Sequence, residues 1–402
     1  MKTILRKIIY FFYDFYIIIF NLSHKLFFAS LKLEVISGNI SFFGYYLKSP
    51  ENLSGQILFQ TATGEAERQS IHESSSVYLI KNNIKSLVYK TKAWNWQQGS
   101  MLQWLPNNEK FIINDYDNLT KKYFSSIVDQ DGRTLKKINL PIYSVSPCGS
   151  FALTLSFDRL NLMRPDYAYF NRKPELIADN NDGIWRIDLL KNTKELILTI
   201  ESLKNFKPVE SMRFAEHKFN HIDISPDSKR FIFLHRWIGP EGRFTRLISS
   251  DINGEKLFLL NGDKMTSHCC WLNNEQILSF CYHNSYGNGY YVFNDLSDKV
   301  VFFNESMPRV DGHPTISPNK RWVVTDSYPG RSRFSKLFLC NVETKKVFTI
   351  GKFYQPSNFI GEKRIDLHPK WNSDGTKIFF ESGHKGRRQL YCLNVRKFTD
   401  ER

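Results

Sequence analysis

Four histidines share one position of a recurring sequence pattern. Each opens a segment in which a short apolar strand leads into a tight turn, as in HIDISPDS and HPTISPNK. The four are His221, His268, His313 and His368, out of ten histidines in the chain. A neutral imidazole is a common metal ligand and a general base near neutral pH. If the fold brings this register together, it predicts a metal or acid–base site. The alternative is that each histidine caps its strand and bonds to neighbouring turns.

A carboxylate accompanies the last of these histidines. Asp366 lies two residues before His368, and the two-residue period of a strand places both side chains on one face. A carboxylate beside two or three imidazoles suits a divalent cation such as Mn, Ca or Zn. The predicted metal ligands are therefore His268, His313, Asp366 and His368.

Basic residues near this register predict recognition of a carboxylate. The segment around residues 158–182 is a long, tyrosine-rich excursion that contains Arg164, and the run GRFTR ends in Arg246. Arginine pairs with carboxylates in a bidentate manner, so both residues are candidates for binding an acidic sugar. His235 ends a predicted strand and is a further candidate at the same rim. The alternative is that the excursion only packs against the body or lies in solvent.

The elements that must position these residues form a sequence repeat. Seven units begin at positions 45, 101, 142, 221, 268, 313 and 368, and in each a turn is followed by a second apolar strand. Four short strands in about 40–50 residues are typical of a propeller blade. The sequence therefore predicts an all-β, seven-bladed β-propeller over residues 34–402, with a strand near residues 34–43 closing the ring. A β-sandwich or two smaller β domains is the alternative.

Residues 1–33 form a separate basic and aromatic segment. They carry a net charge of +4, with Asp14 as the only acidic residue. The apolar stretch between Ile8 and Leu22 favours a short N-terminal helix. Three interpretations stay open: a helix on an anionic membrane surface, a signal sequence, or a helix packed on the propeller.

The composition indicates a globular chain with an anionic partner. Of the 402 residues 15% are aromatic, and the formal net charge of +15 favours an acidic polysaccharide or oligosaccharide, or an anionic membrane surface. The sequence contains no phosphate-binding glycine motif, no nucleophile elbow and no helical DNA-recognition module. These absences argue against nucleotide-dependent transferases, serine hydrolases and nucleic-acid binding, so no nucleic-acid partner is expected.

Several segments resemble the oligogalacturonate lyases, which are seven-bladed propellers. They include HIDISPD, FIFLHRW and KRIDLHPKWNSDG. The chain also looks like a bacterial propeller family that often accompanies exopolysaccharide genes and shares its architecture with rhamnose–glucuronate lyases. The resemblance implies that His221 abstracts a proton and that His268 and His368 hold a manganese-type ion. Asp366 stands where the lyases have a histidine, and Lys363 where they have a glutamine.

These observations predict a polysaccharide-lyase-like protein that cleaves a uronate-containing glycan by β-elimination. His221 is the predicted base, and Arg164, Arg246 or a bound cation stabilises the developing charge. Whether the chain is an enzyme stays open. The alternatives are a non-catalytic, membrane-associated propeller that binds or scaffolds bacterial surface polysaccharide, or a platform for protein interactions. The expected location is the bacterial cytoplasm or the cytoplasmic face of the inner membrane, or else the periplasm or the exterior.

Overall fold

Seven antiparallel sheets surround a central channel. The computed structural model describes residues 2–20, 33–64, 73–106 and 109–400, and over these residues six sheets have four strands and one has three. The predicted seven-bladed β-propeller is thereby confirmed.

The strands follow one another blade by blade. The chain enters the ring with β1 (Leu33–Val35), and blade one contains β2 (Ile57–Thr61), β3 (Ser75–Lys81) and β4 (Ile84–Thr91). Blade two contains β5 (Gln103–Trp104), β6 (Lys110–Asp117), β7 (Lys122–Asp129) and β8 (Thr134–Ile138); blade three contains β9 (Ser144–Val145), β10 (Phe151–Leu155), β11 (Gly183–Asp188) and β12 (Thr193–Thr199). Blade four contains β13 (Glu216–Ile224), β14 (Arg230–Gly239), β15 (Gly242–Asp251) and β16 (Phe258–Asn261); blade five contains β17 (Thr266–Trp271), β18 (Gln276–His283), β19 (Gly287–Asn294) and β20 (Val300–Phe302). Blade six contains β21 (Thr315–Ile316), β22 (Trp322–Asp326), β23 (Phe334–Asn341) and β24 (Val347–Tyr354); blade seven contains β25 (Lys370–Trp371), β26 (Lys377–Ser382), β27 (Gln389–Asn394) and β1.

A strand from the other end of the propeller sequence completes the last blade. β1 pairs antiparallel with β27, so that Leu33 lies opposite Leu393 and Val35 opposite Tyr391. The predicted closing strand is therefore present. It is shorter than the expected range because Phe42 already bridges to Gln60 of blade one.

The turn after the inner strand of several blades is stabilised by a polar side chain that occupies the same position of the repeat. The hydroxyl groups of Ser146, Ser225 and Ser317 each accept a hydrogen bond from the backbone N–H five residues later, at 3.3, 3.0 and 2.9 Å. Asn372 plays the same part for Lys377 in blade seven, at 2.9 Å. Side chains that bond to nearby backbone favour a tight turn. The innermost strand of these blades is thereby fixed against the second.

Apolar side chains pack between neighbouring blades. Ile232 and Leu247 of blade four share one buried cluster with Trp271 and Tyr291 of blade five. Because each blade buries both of its faces in this way, the ring forms a continuous frame around the channel. This frame fixes the inner strands, within or just before which the four histidines lie.

Four helices accompany the sheets in the described part of the chain. They are α1 (Lys2–Phe20), α2 (Phe157–Met163), α3 (Ile200–Asn205) and α4 (Arg396–Thr399). α2 and the following turn Pro165–Tyr167 occupy the predicted excursion between β10 and β11. Within the residues described, none of these helices is long and apolar enough to cross a membrane. The proposed boundary between an N-terminal segment and the propeller, at residues 33 and 34, stays a prediction, and residues 21–32 lie outside the described residues.

Candidate functional site

The structure brings the four histidines of the shared register together at one mouth of the channel. Their ring centres are 5.1 Å apart for His221 and His268, 4.0 Å for His268 and His313, and 4.3 Å for His313 and His368. All four side chains are buried. We call these four residues the histidine cluster.

The backbone at this register turns the side chains into the channel. His221 and His368 have φ angles of 56° and 46°, in the left-handed region that non-glycine residues seldom adopt. Met101, at the same register position of blade two, has a φ of 51°. The pairing of β13 with β14 is also irregular between Asn220 and Asp223, next to His221. Strained backbone of this kind collects at functional sites, where the surrounding structure holds it.

Two tyrosines fill the channel beside the histidine cluster. The ring of Tyr46 lies between 5.2 and 6.4 Å from all four imidazoles, and its hydroxyl donates to the carbonyl oxygen of Cys269 at 2.8 Å. The Tyr45 hydroxyl forms a hydrogen bond with His221 Nδ1. Tyr46 also lines a cavity of about 560 Å³ among the hairpin turns at the opposite mouth. The tyrosines therefore separate that cavity from the histidine cluster.

Carboxylates orient two of the histidines from behind. His313 Nδ1 lies 2.9 and 3.1 Å from the two carboxylate oxygens of Asp326, and His268 Nδ1 lies 3.0 Å from Asp311. A carboxylate on one ring nitrogen fixes the tautomer and leaves the other nitrogen as the ligand atom. His313 Nε2 is buried and has no hydrogen-bond partner among the described residues. A buried imidazole nitrogen that no protein group satisfies is suited to bind a metal ion.

Three residues of the predicted metal set form a compact group. His313, Asp366 and His368 each offer a ligand atom, and these atoms lie within 4.8 Å of one another. Two imidazoles and one carboxylate fit a divalent cation of the Mn or Zn type. His268, the fourth predicted ligand, packs against His313 but is not part of this group.

Cationic side chains form the rim above the histidine cluster. Arg164 and Arg364 both bind the Asp166 carboxylate, at 2.9 and 2.5 Å, and Arg364 also reaches Asp366 at 3.0 Å. Lys218 donates to the carbonyl oxygen of Met163 at 3.1 Å. Burial lowers the pKa of Lys218 to about 6, and Arg236 and Arg164 act in the same direction. The rim is therefore built from ion pairs between two arginines and two carboxylates, with the buried Lys218 amine beside them.

Arg164 contacts the histidine cluster indirectly, because the Tyr167 ring lies between them. Its guanidinium lies 4.7 Å from the centre of the Tyr167 ring, which contacts His221 edge to face at 5.9 Å. Both residues come from the turn that follows α2. The predicted excursion therefore delivers one of the two candidate arginines to the site.

His235 and Arg246 lie elsewhere in blade four. Arg246 Nε donates to His235 Nδ1 at 3.0 Å, and its other nitrogens donate to the carbonyl oxygens of Leu203 and Lys207. His235 Nε2 bonds to His217 Nδ1 at 2.8 Å. We call His217, His235 and Arg246 the paired-histidine network. No contact of the described residues joins it to the histidine cluster, so the structure does not bring these two predicted residues to the site.

Side chains alternate between the two faces of β13 and β14. This alternation explains why His235 lies away from the site and why Arg236 was missed. Lys218 pairs with Arg236 across β13 and β14, whereas His217 pairs with Trp237 and so lies on the other face. Arg236 is therefore the residue that faces the rim, where burial and Arg164 lower its pKa. Sequence analysis missed Lys218, Arg236 and Arg364. The period of two could have assigned Arg236, since His235 and Arg236 must face opposite ways.

The structure resembles solved propellers at low sequence identity. An oligogalacturonate lyase from Vibrio parahaemolyticus matches with a TM-score of 0.62 and 12% identity, over 91% of this chain and 97% of that one. An oligogalacturonate lyase in complex with manganese matches with a TM-score of 0.59 and 13% identity, over 91% and 96%. The propeller domain of the Trilobed protease from Pyrococcus furiosus matches at 0.50 and 12%, over 88% and 94%. No protein-family model and no curated protein matches the sequence. At these identities the comparisons establish the propeller fold, which lyases and proteases share.

Proposed function

We propose that this protein is a polysaccharide-lyase-like propeller that cleaves a uronate-containing glycan by β-elimination. The observation that carries the proposal is a buried imidazole whose Nε2 has no partner among the described residues, His221, in one cluster with the His313–Asp366–His368 group and in contact with Tyr167 below the rim. The structural likeness to two oligogalacturonate lyases supports it.

The reaction needs three groups. A base removes the proton from the carbon beside the carboxylate, and the electron pair of that C–H bond forms a carbon–carbon double bond. The bond to the glycosidic oxygen then breaks, and the leaving oxygen takes a proton. Positive charge near the carboxylate stabilises the enolate-like intermediate, and an acid serves the leaving group.

His221 is positioned to act as the base. Burial lowers its pKa, and the neighbouring His268 and Arg236 lower it further, so the imidazole is neutral near pH 7. When Nδ1–H donates to the Tyr45 hydroxyl oxygen, the lone pair of Nε2 is available for a proton. Nε2 has no hydrogen-bond partner among the described residues.

Arg164 and Arg236 supply positive charge for the uronate carboxylate. His313, Asp366 and His368 would hold a divalent cation, Mn, Ca or Zn, which when bound supplies further positive charge for that carboxylate. The arginines have the planar, bidentate geometry that a carboxylate matches.

The substitution His221→Gln tests the base. Proton transfer by a positioned base contributes about 10²–10⁴-fold, so the initial rate of double-bond formation should fall by about that factor. The assay follows ultraviolet absorbance of unsaturated uronate products over a panel of acidic polysaccharides. His217→Gln is the matched control, because His217 is equally buried in the same strand. Equal rates for His221→Gln and the wild type would reject the assignment.

A second candidate function is binding of an acidic glycan without cleavage. The burial of all four clustered histidines favours it, because a substrate has to move rim residues such as Arg164 and Tyr167 to reach His221. Binding of an acidic polysaccharide measured by calorimetry, with no unsaturated product after long incubation, would favour this function over catalysis.

A further inference from the structure

One face of α1 is held on the propeller by specific contacts. The Asp14 carboxylate accepts hydrogen bonds from the Tyr354 hydroxyl and from the Ser357 N–H and hydroxyl, the last two at 3.0 and 2.6 Å. The Tyr13 ring meets the Tyr354 ring edge to face at 5.4 Å. Ile17 is buried. The helix is therefore docked between blades six and seven.

The opposite face of α1 is apolar and exposed. Six large side chains on it are between 49% and 66% exposed: Ile8, Ile9, Phe11, Phe12, Phe15 and Ile19. Scattered apolar residues are normal on a protein surface, but a contiguous patch on one helix marks an interaction site. The docked face of α1 is also largely apolar. The helix therefore has two apolar faces, and the propeller covers only one of them.

The charged residues of α1 and of the hairpin beside it are basic, apart from Asp14. Asp14 is the only acidic residue of the segment 1–33, and it is used in docking. Lys2, Arg6 and Lys7 belong to the first turns of α1. Exposed Lys385 and Arg387 flank Gly386, the position that Ile18 approaches. Basic residues around inserted aromatic side chains are typical of helices that bind anionic lipid.

We propose that α1 anchors the protein to an anionic membrane surface, lying in the plane of the interface with its phenylalanines inserted. This combines two interpretations that the sequence left open, since the helix both packs on the propeller and presents an apolar face. A bilayer suits this face better than a second copy of the chain, because two copies would bring their basic residues together.

The docked helix also fixes which end of the propeller meets the bilayer. β24 ends at Tyr354, and the hairpin between β26 and β27 turns at residues 383–388, next to α1. The Glu381 N–H donates to the carbonyl oxygen of Leu367 at 2.8 Å, so this hairpin lies at the end where His368 enters the channel. The histidine cluster therefore faces the same side as the anchor.

Vesicle flotation of the full-length protein tests the anchor. The protein should float with phosphatidylcholine vesicles that contain phosphatidylglycerol, and float less with pure phosphatidylcholine or at high salt. The variant Phe11→Ser/Phe12→Ser/Phe15→Ser should lower the partition coefficient by about tenfold or more, because three inserted rings are lost. Exposed residues tolerate this change, and circular dichroism checks that the variant is folded.

The matched control is Leu119→Ser/Leu190→Ser/Leu296→Ser, which removes three exposed apolar side chains from loops of the propeller. It should bind vesicles as the wild type does. A wild-type protein that stays unbound to anionic vesicles, or a triple phenylalanine variant that binds equally well, overturns the proposal. A dimer that the phenylalanine variant abolishes, without vesicle binding, would assign the face to a second copy instead.

Discussion

Two groups of buried histidines lie in this propeller, and they differ in how their ring nitrogens are partnered. In the paired-histidine network, His235 is bonded at both nitrogens, by Arg246 and by His217. In the histidine cluster, His313 and His221 are bonded at Nδ1 only, and each Nε2 is buried without a partner among the described residues. A histidine bonded at both nitrogens holds the fold together. One bonded on a single side is prepared for a ligand or a proton.

Burial alone does not separate the two groups. The pKa of His217 is lowered to about 4, and so is that of His268, in both cases mainly by burial. The histidine cluster differs from the paired-histidine network in three features. Carboxylates contact the His268 and His313 rings, a cationic rim lies above the cluster, and His221 and His368 have positive φ angles. These features give the basis for three predictions about the two groups.

The largest effect is expected when the metal group is removed. The double substitution His313→Ala/His368→Ala leaves one carboxylate of the three ligands, so affinity for Mn²⁺ or Zn²⁺ should fall by more than about 1,000-fold, or about 4 kcal/mol. Isothermal titration with each ion measures it. His217→Ala should bind the ion as the wild type does. If both variants bind alike, the distinction between the groups fails.

A smaller effect is expected on stability from the paired network. In His235→Leu, His217 and Arg246 each lose a buried partner, so the free energy of unfolding should fall by about 2–3 kcal/mol. Urea denaturation followed by tryptophan fluorescence measures this loss. Metal affinity should stay unchanged, because the network does not touch the cluster. A loss of metal binding with unchanged stability would reverse the assignment of the two groups.

The most gradual effect, spread over several pH units, is expected in the pH dependence of stability. The pKa of His217 is about 4 in the folded protein, against about 6.5 in an unfolded chain. Between these values the unfolded chain binds a proton that the folded protein does not, so stability is lost as pH falls from 6.5 towards 4. One such group contributes a slope of at most about 1.4 kcal/mol per pH unit.

The substitution His217→Gln removes this group. The urea midpoint of the variant, measured between pH 7 and pH 4.5, should therefore depend less steeply on pH than that of the wild type. An unchanged slope would contradict the prediction, because it would mean that His217 binds a proton equally well in the folded and the unfolded protein.

The sequence predicted the ring and the register of the site because both come from repetition. A unit that recurs seven times must place equivalent residues at equivalent positions around the channel, so His221, His268, His313 and His368 had to converge once the fold was a propeller. The closing strand followed from the same count, since blade seven lacks a strand without β1.

The sequence could not assign residues whose role depends on direction within a blade. Arg246 and Arg164 looked equivalent as arginines near the register, but Arg246 points to the carbonyl groups around α3 and Arg164 to Tyr167 at the rim. Arg364 and Lys218 were missed because their neighbours at the rim come from distant parts of the chain. Such juxtapositions have no local signal.

The amino-acid sequence by itself therefore determined the number of blades, the shared histidine position and the basic aromatic character of the N-terminal segment. Only the tertiary structure decided which histidine nitrogens stay unpartnered, which cations reach the rim and which face of α1 remains exposed. The physical reason is that periodicity fixes the position of a residue in the ring. The partners of its side chain depend on contacts between blades, loops and helices that meet only when the chain is folded.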